Sequence, residues 1–237
     1  MVALGLVWAF ADLPGFGHYS GIYGMVLEHV AVAERHATNI VAAITFDYRG
    51  FDTLGEEFIL FAAAVGCAIL LRAERDEEAV EEAEELADER ADAVARPVRA
   101  LGAALVAPTV VLAGYVIAHG AITPGGGFQG GVILAAAAVL VYSSGQYLAM
   151  RRAPGVTVLE LADAVGAAGY ALIAVGGLVF ASAAMQNFLG YGVPGSVYSA
   201  GTIPLLNVAV GIEVAGGVTL IVAEFLDQAL MRRRQRT

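Results

Sequence analysis

The chain has no lysine, one cysteine, one tryptophan and little charge of either sign. Only 15% of its 237 residues are charged and 58% are hydrophobic, whereas soluble domains sit near 25% and 45–50%. A mean hydropathy of +0.71 points the same way and excludes both a soluble globule and a disordered chain. The apolar runs are continuous rather than alternating, which argues against a transmembrane β-barrel. The remaining class is all-α, a polytopic membrane protein. With one cysteine, Cys67, no internal disulfide and no cysteine metal cage can form; its apolar surroundings read as those of a buried structural thiol. There is no HExxH, no G-x-S-x-G and no cysteine cluster, and His18, His29, His36 and His119 have no obvious ligand spacing. The residues therefore call for no enzyme, cofactor or metal. The basic residues, all arginine, form no stripe that would suit a nucleic acid.

The net charge of −10 is concentrated. Glu74 to Asp92 contain eleven acids and two arginines, and the rest of the chain is close to neutral. This run has sparse, helically spaced apolar residues and reads as a solvated helical linker at 73–96. Around it lie six apolar segments. Met1 to Leu13 reaches only about 20 Å at 1.5 Å per residue and is short for a span. The second span is expected at Thr53 to Leu71, the third at Val98 to Ala118 and the fourth at Gly130 to Met150. The fifth is expected at Leu161 to Met185 and the sixth at Ile203 to Leu226. A long outer segment, 14–52, has helical spacing over Val26 to Ala37. Its stretch Asn39 to Tyr48, rich in β-branched and aromatic residues, reads as a surface strand or re-entrant piece. Arg72, Arg75, Arg96 and Arg99, then Arg151 and Arg152, then Arg232 to Arg236 fall on one side of this six-span arrangement. The positive-inside rule makes that side cytoplasmic, with both termini.

GGGFQG (Gly125, Gly127, Gly130) has the form G-x-G-x-x-G, but no strand precedes it and Met150 stands where an acid is needed. A break is the better reading. Pro124 cannot continue a helix, the glycines permit positive φ, and Gly126/Gly130 and Gly127/Gly131 have the spacing of close helix packing. Glu213 falls near the middle of the sixth span, where an acid costs roughly 2.5–3.5 kcal/mol to insert and marks an ion path by default. Glu56, Glu57, Asp163 and Glu224 lie nearer span ends, where hydration is easier.

Two stretches resemble a known family. HGAITPGGGFQGGVILAAAAVLVY, 119–142, is similar to the signature of the B-type component of Mrp/Mnh-type multisubunit sodium/proton antiporters. The match includes His119, Pro124, Gly125, Gly126, Gly127, Phe128, Gln129, Gly130 and Gly131. TNIVAAITFDYRGFDTLGEEFILFAAAVG, 38–66, resembles the end of that family's large A-type component and the two-span E-type component of membrane-bound hydrogenases. Asp47, Arg49, Gly50 and Asp52 are its specific part. The chain thus resembles a fusion of an A-tail/E-type module (1–72), the acidic linker (73–96) and a B-type module (97–237). The resemblance implies an accessory subunit in the cell membrane. Its partners would be large antiporter-like A-type and D-type chains, small subunits and the lipid bilayer, and Na+ and H+ would be the ions moved. A redox-driven, complex I-like or hydrogenase pump using the same module is the alternative. Glu213, with Glu56 and His119 on the outer side, are the candidate ion-path residues.

Overall fold

The computed structural model describes residues 8, 11, 21–72, 94–144 and 155–234, with side chains through 228. The first apolar segment, apart from Trp8 and Ala11, and nearly all of the acidic linker lie outside these. Among the described residues every regular element is a helix. α1 is Ile22–Arg35, α2 is Ile40–Ala43 and runs into a π-helical turn at Ile44–Tyr48, and α3 is Gly50–Arg72. α4 is Arg96–Ala118, α5 Gly127–Ser143, α6 Val156–Phe180 and α7 Ile203–Arg234. Four of them (α3, α4, α6, and α7 over Ile203–Gln228) are long and apolar enough to cross a membrane, and α5 is a shorter apolar helix.

The expected span positions shift in places. The fifth begins five residues earlier, at Val156, and ends at Phe180, where the chain turns into the irregular segment 181–202. The fourth begins within the glycine run, at Gly127. Of the two forms expected for Asn39 to Tyr48, a surface strand or a re-entrant piece, the strand is not formed, and the stretch is helical. The Asn39 side chain caps α2 by accepting from the Ala42 N–H at 3.4 Å. The Thr53 hydroxyl then donates to the Thr45 carbonyl within the π turn at 2.7 Å. Local β preference is weak against such tertiary satisfaction.

α7 organises the bundle. In its spanning window 61% of residues are buried, against 11–33% for the other spans. Glycines set how closely its neighbours approach, as expected where lipid removes any hydrophobic drive between helices. A Cβ at Gly127 would strike the Asn207 carbonyl oxygen and one at Gly131 would meet Val214, which makes α5 parallel to α7. Gly166 packs on Glu213 and Ala209, and Gly216 on Asp163 and Leu159, which makes α6 antiparallel. Glu57 faces Glu213, Ala64 lies by Gly217 and the Leu71 carbonyl accepts from Gln228 at 2.9 Å, so α3 is parallel. Gly130 packs on Ala113 and Ile117, and Gly102 on Ser144, so α4 runs against α5. One end of the bundle thus gathers the π turn, residues 119–126 and residues 181–202. The other gathers Arg72, Arg96 and the far end of α7.

Candidate functional site

The glycine break begins the site. Gly125 and Gly126 have φ of 128° and 137°, values open essentially to glycine alone. They turn the chain so that α5 starts against α7. The Gly127 N–H donates to the buried Asn207 Oδ1 at 2.8 Å, and Asn207 Nδ2 donates to the Ile203 carbonyl at 3.0 Å. A side chain of α7 thus supplies an acceptor for the free N–H groups at the α5 start. From the other side, Asn39 Nδ2 donates to the carbonyls of Gly120 and Thr123 at 2.7 and 2.8 Å, and the Asn39 N–H to that of Ala121 at 3.1 Å. These bonds tie the 21–72 module to the break. Neither asparagine stands out in the sequence, because an amide carries no charge to mark it inside an apolar run.

Below the break three acids converge from three helices. Glu213 (α7), Asp163 (α6) and Glu57 (α3) are 0%, 1% and 2% exposed. The carboxyls of Glu57 and Glu213 face one another, and Asp163 lies within electrostatic reach of both. Glu57 Oε2 and both oxygens of Glu213 and Asp163 receive no hydrogen bond from any other protein donor, and Glu57 and Glu213 can bond one another only by sharing a proton. Small residues make the room: Gly166 backs onto Glu213, and Gly217 lies against Asp163 Oδ1. Asp163 packs at Gly216 and Gly217, about one helical turn beyond Glu213 along α7. Further along α7, Glu224 and Asp227 are buried too. The four acids expected near hydrated span ends therefore divide. Glu57, Asp163 and Glu224 are enclosed by neighbouring helices, and Glu56 is exposed on the α3 surface. Two facing carboxyls in an apolar bundle can share and relay a proton, or bind one monovalent cation between them.

The other candidates lie outside this cluster. His119 follows α4, stacked on Tyr115 at 4.0 Å, with Nδ1 at 2.9 Å from the Tyr115 carbonyl. Pro124, Phe128 and Gln129 are exposed at the break. Asp47 pairs with Arg35 at 2.7 Å and accepts from Asn187 at 3.4 Å. Arg49 pairs with Asp52, and the Gly50 carbonyl accepts from the buried Tyr170 hydroxyl at 3.0 Å. Around Arg35, Tyr48 donates to Glu34 at 2.7 Å, and burial together with that bond pushes its phenol up to about 12. His36 Nδ1 meets the Gly192 carbonyl at 2.6 Å and its ring lies 5.8 Å from that of Tyr191. This polar network fastens α1 and the π turn to the 181–202 segment.

Known proteins resemble this chain in sequence and in fold. Residues 97–220 match the family described as a domain related to the MnhB subunit of Na+/H+ antiporter. Residues 17–86 match the family of the E-type component of MBH. An uncharacterized protein of Methanocaldococcus jannaschii is 32% identical over 205 residues, covering 76% of this chain and 74% of that protein. A probable K+/H+ antiporter component of the A/B type from Rhizobium meliloti is 34% identical over 130 residues, 48% of this chain and 13% of the relative. Among solved structures, a chain of the membrane-bound sulfane sulfur reductase, an archaeal respiratory membrane complex, superposes with a TM-score of 0.70 at 28% identity. The match covers 95% of this chain and 93% of that one. A chain of the Mrp complex from a Dietzia species has the same fold, with a TM-score of 0.73 at 21% identity, over 94% of this chain and 25% of its own length.

Proposed function

The chain belongs to the family of domains related to the MnhB subunit of Na+/H+ antiporters, and we propose that it is an accessory membrane subunit of a Mrp-type monovalent cation/proton antiporter complex. In that complex it forms one wall of an ion path and works beside large antiporter-like chains. The observation that carries the ion-path reading is the convergence of Glu57, Asp163 and Glu213 from three helices into one buried cluster. Buried carboxyls that no other protein donor satisfies are expensive to keep in a membrane protein, and an ion that visits them explains their retention. The arginines near one end of the bundle support a cytoplasmic face there by the positive-inside rule, and a cytoplasmic position of both termini is part of this reading.

The test is Glu213→Gln, which keeps size and removes the titrating group. The complex is expected to assemble normally and to lose at least about 100-fold in cation-dependent proton exchange across vesicles, the lower end of the scale of a positioned proton-transfer residue. Undiminished exchange in the assembled mutant removes Glu213 from the mechanism.

A second reading is favoured by one observation, the full-length likeness to a chain of a respiratory membrane complex. There the same module would serve a redox-driven pump. Gentle purification from native membranes with subunit identification separates the two. Iron–sulfur subunits in the purified complex favour the pump, and long antiporter-like chains alone favour the antiporter.

A further inference from the structure

A cavity of about 250 Å³ lies between the two halves of the molecule. Its walls are the π-helical turn (Thr45), the start of α3 (Thr53, Glu56, Glu57), the glycine break and Asn207. At about 30 Å³ per water it holds several waters, and although much of the lining is apolar, the side chains of Thr45, Thr53, Glu56, Glu57, Gln129 and Asn207 supply partners for them. The walls carry two carboxyl groups and no basic side chain, a lining that concentrates cations and repels anions. Glu57 is the decisive residue. It is 2% exposed, it borders this cavity, and its Oε2 receives no hydrogen bond from any protein donor other than the facing Glu213 carboxyl. A separate cavity borders Asp163, where Glu160 and Asp163 sit among the apolar side chains of Phe61, Val65, Ala68, Ile69 and Leu220.

We propose that the 250 Å³ cavity is a water-filled vestibule that admits monovalent cations to Glu57 from the end of the bundle bearing residues 119–126 and 181–202. The cation is a proton carried by water or an alkali ion. For a proton, a hydronium gives its proton to the Glu57 carboxylate and leaves water, and Glu57 passes the proton to the Glu213 carboxylate facing it. For an alkali ion, the oxygens of Glu57 and Glu213 replace part of its water shell. The vestibule rests on the ion-path reading of the carboxyl cluster and adds the side and the route of entry. The π turn has a role here, since π-helical turns recur where function needs the backbone opened: it sets Thr45 in the wall, while Thr53 occupies its freed carbonyl.

The experiment uses the whole complex in sealed vesicles of known orientation, with Cys67→Ala to remove the native thiol. Thr53→Cys and Thr45→Cys are introduced separately, so that loss of either hydroxyl is controlled by the other variant. Tyr198→Cys, at a position 89% exposed, reports reagent delivery. Both vestibule thiols are expected to react with an impermeant cationic methanethiosulfonate added on the loop-bearing face. They should react at least about 10-fold more slowly with an anionic reagent of similar size, relative to the Tyr198→Cys control. Slower labelling in Na+ or K+ than in choline identifies an alkali ion as occupant, and equal rates identify the proton. No reaction at either position while the Tyr198→Cys control reacts overturns the vestibule, as does reaction only from the arginine-bearing face. The two readings fail separately. Closed thiols with a dead Glu213→Gln leave the relay standing with entry elsewhere, and open thiols with an active Glu213→Gln leave the vestibule without that relay.

Discussion

Replacing Asn207 by alanine tests the join between the break and the bundle. In the structure this fully buried amide accepts from the Gly127 N–H at 2.8 Å and donates to the Ile203 carbonyl at 3.0 Å. The second bond costs little to lose, because Ile203 lies one helical turn earlier and its carbonyl can accept from the α7 backbone. The first leaves a buried donor at the start of α5. An unsatisfied buried group costs about 1–3 kcal/mol, and truncation of the side chain adds a small cavity. Asn207 also borders the 250 Å³ cavity, from which a water can reach the orphaned N–H, so the lower half of that range is expected. A loss of about 1–2 kcal/mol is roughly a 5- to 30-fold shift in an unfolding equilibrium. The assay is denaturant titration of the purified complex in mild detergent, followed by proteolytic cutting at 119–126 to report whether α5 has left α7. Asn207→Asp retains an acceptor for Gly127 and should hold the break closed against protease. If Asn207→Ala unfolds within about 0.3 kcal/mol of the parent, well below the cost of an orphaned buried donor, and its break stays protected, the amide does not hold α5 in place and the inference from the buried bond is wrong.

Two further outcomes follow from the packing. A side chain at Gly166 has no space, since even a Cβ would lie 2.5 Å from the Glu213 backbone nitrogen. Gly166→Leu should therefore separate α6 from α7 and cost about 1–3 kcal/mol or more as overpacking; Gly155→Ala, with nothing within 4 Å, is the matched control, and equal melting of the two in detergent would contradict the close approach. The Arg35–Asp47 pair is sheltered, with side chains 27% and 9% exposed. A double-mutant cycle with Arg35→Met and Asp47→Asn, read by the same denaturation, should give a coupling above the roughly 1 kcal/mol ceiling of exposed pairs, and a value near zero would show that the network around the 181–202 segment holds nothing.

Much of this protein is legible in one dimension. Low charge and long apolar runs require a helical membrane protein, because in lipid only an internally bonded backbone survives. Pro124 and its glycines require a break at a defined place. Glu213 declares itself because an acid at mid-span has no cheap alternative. The positions of α4 and α7 follow from length and apolarity. What could not be read is direction. The spans are apolar all round, so the pattern carries no polar face from which to tell inside from outside. Glu56 and Glu57 are neighbours about 100° apart on α3, and only its packing on α7 turns Glu57 inward to Glu213 and leaves Glu56 at the surface. Asp163 sits seven residues beyond the start of α6 at Val156 and reads as hydrated by depth alone; enclosure by α3 and α7 makes it part of the cluster. The segment 39–48 has strand-like residues, and its helical form with a π turn depends on Asn39 and Thr53 finding backbone partners in the fold. The sequence by itself determined the class, the break and one buried acid. The tertiary structure alone decided which side chains meet, because contact between helices depends on their rotation about their own axes, which apolar residues on every face leave unspecified.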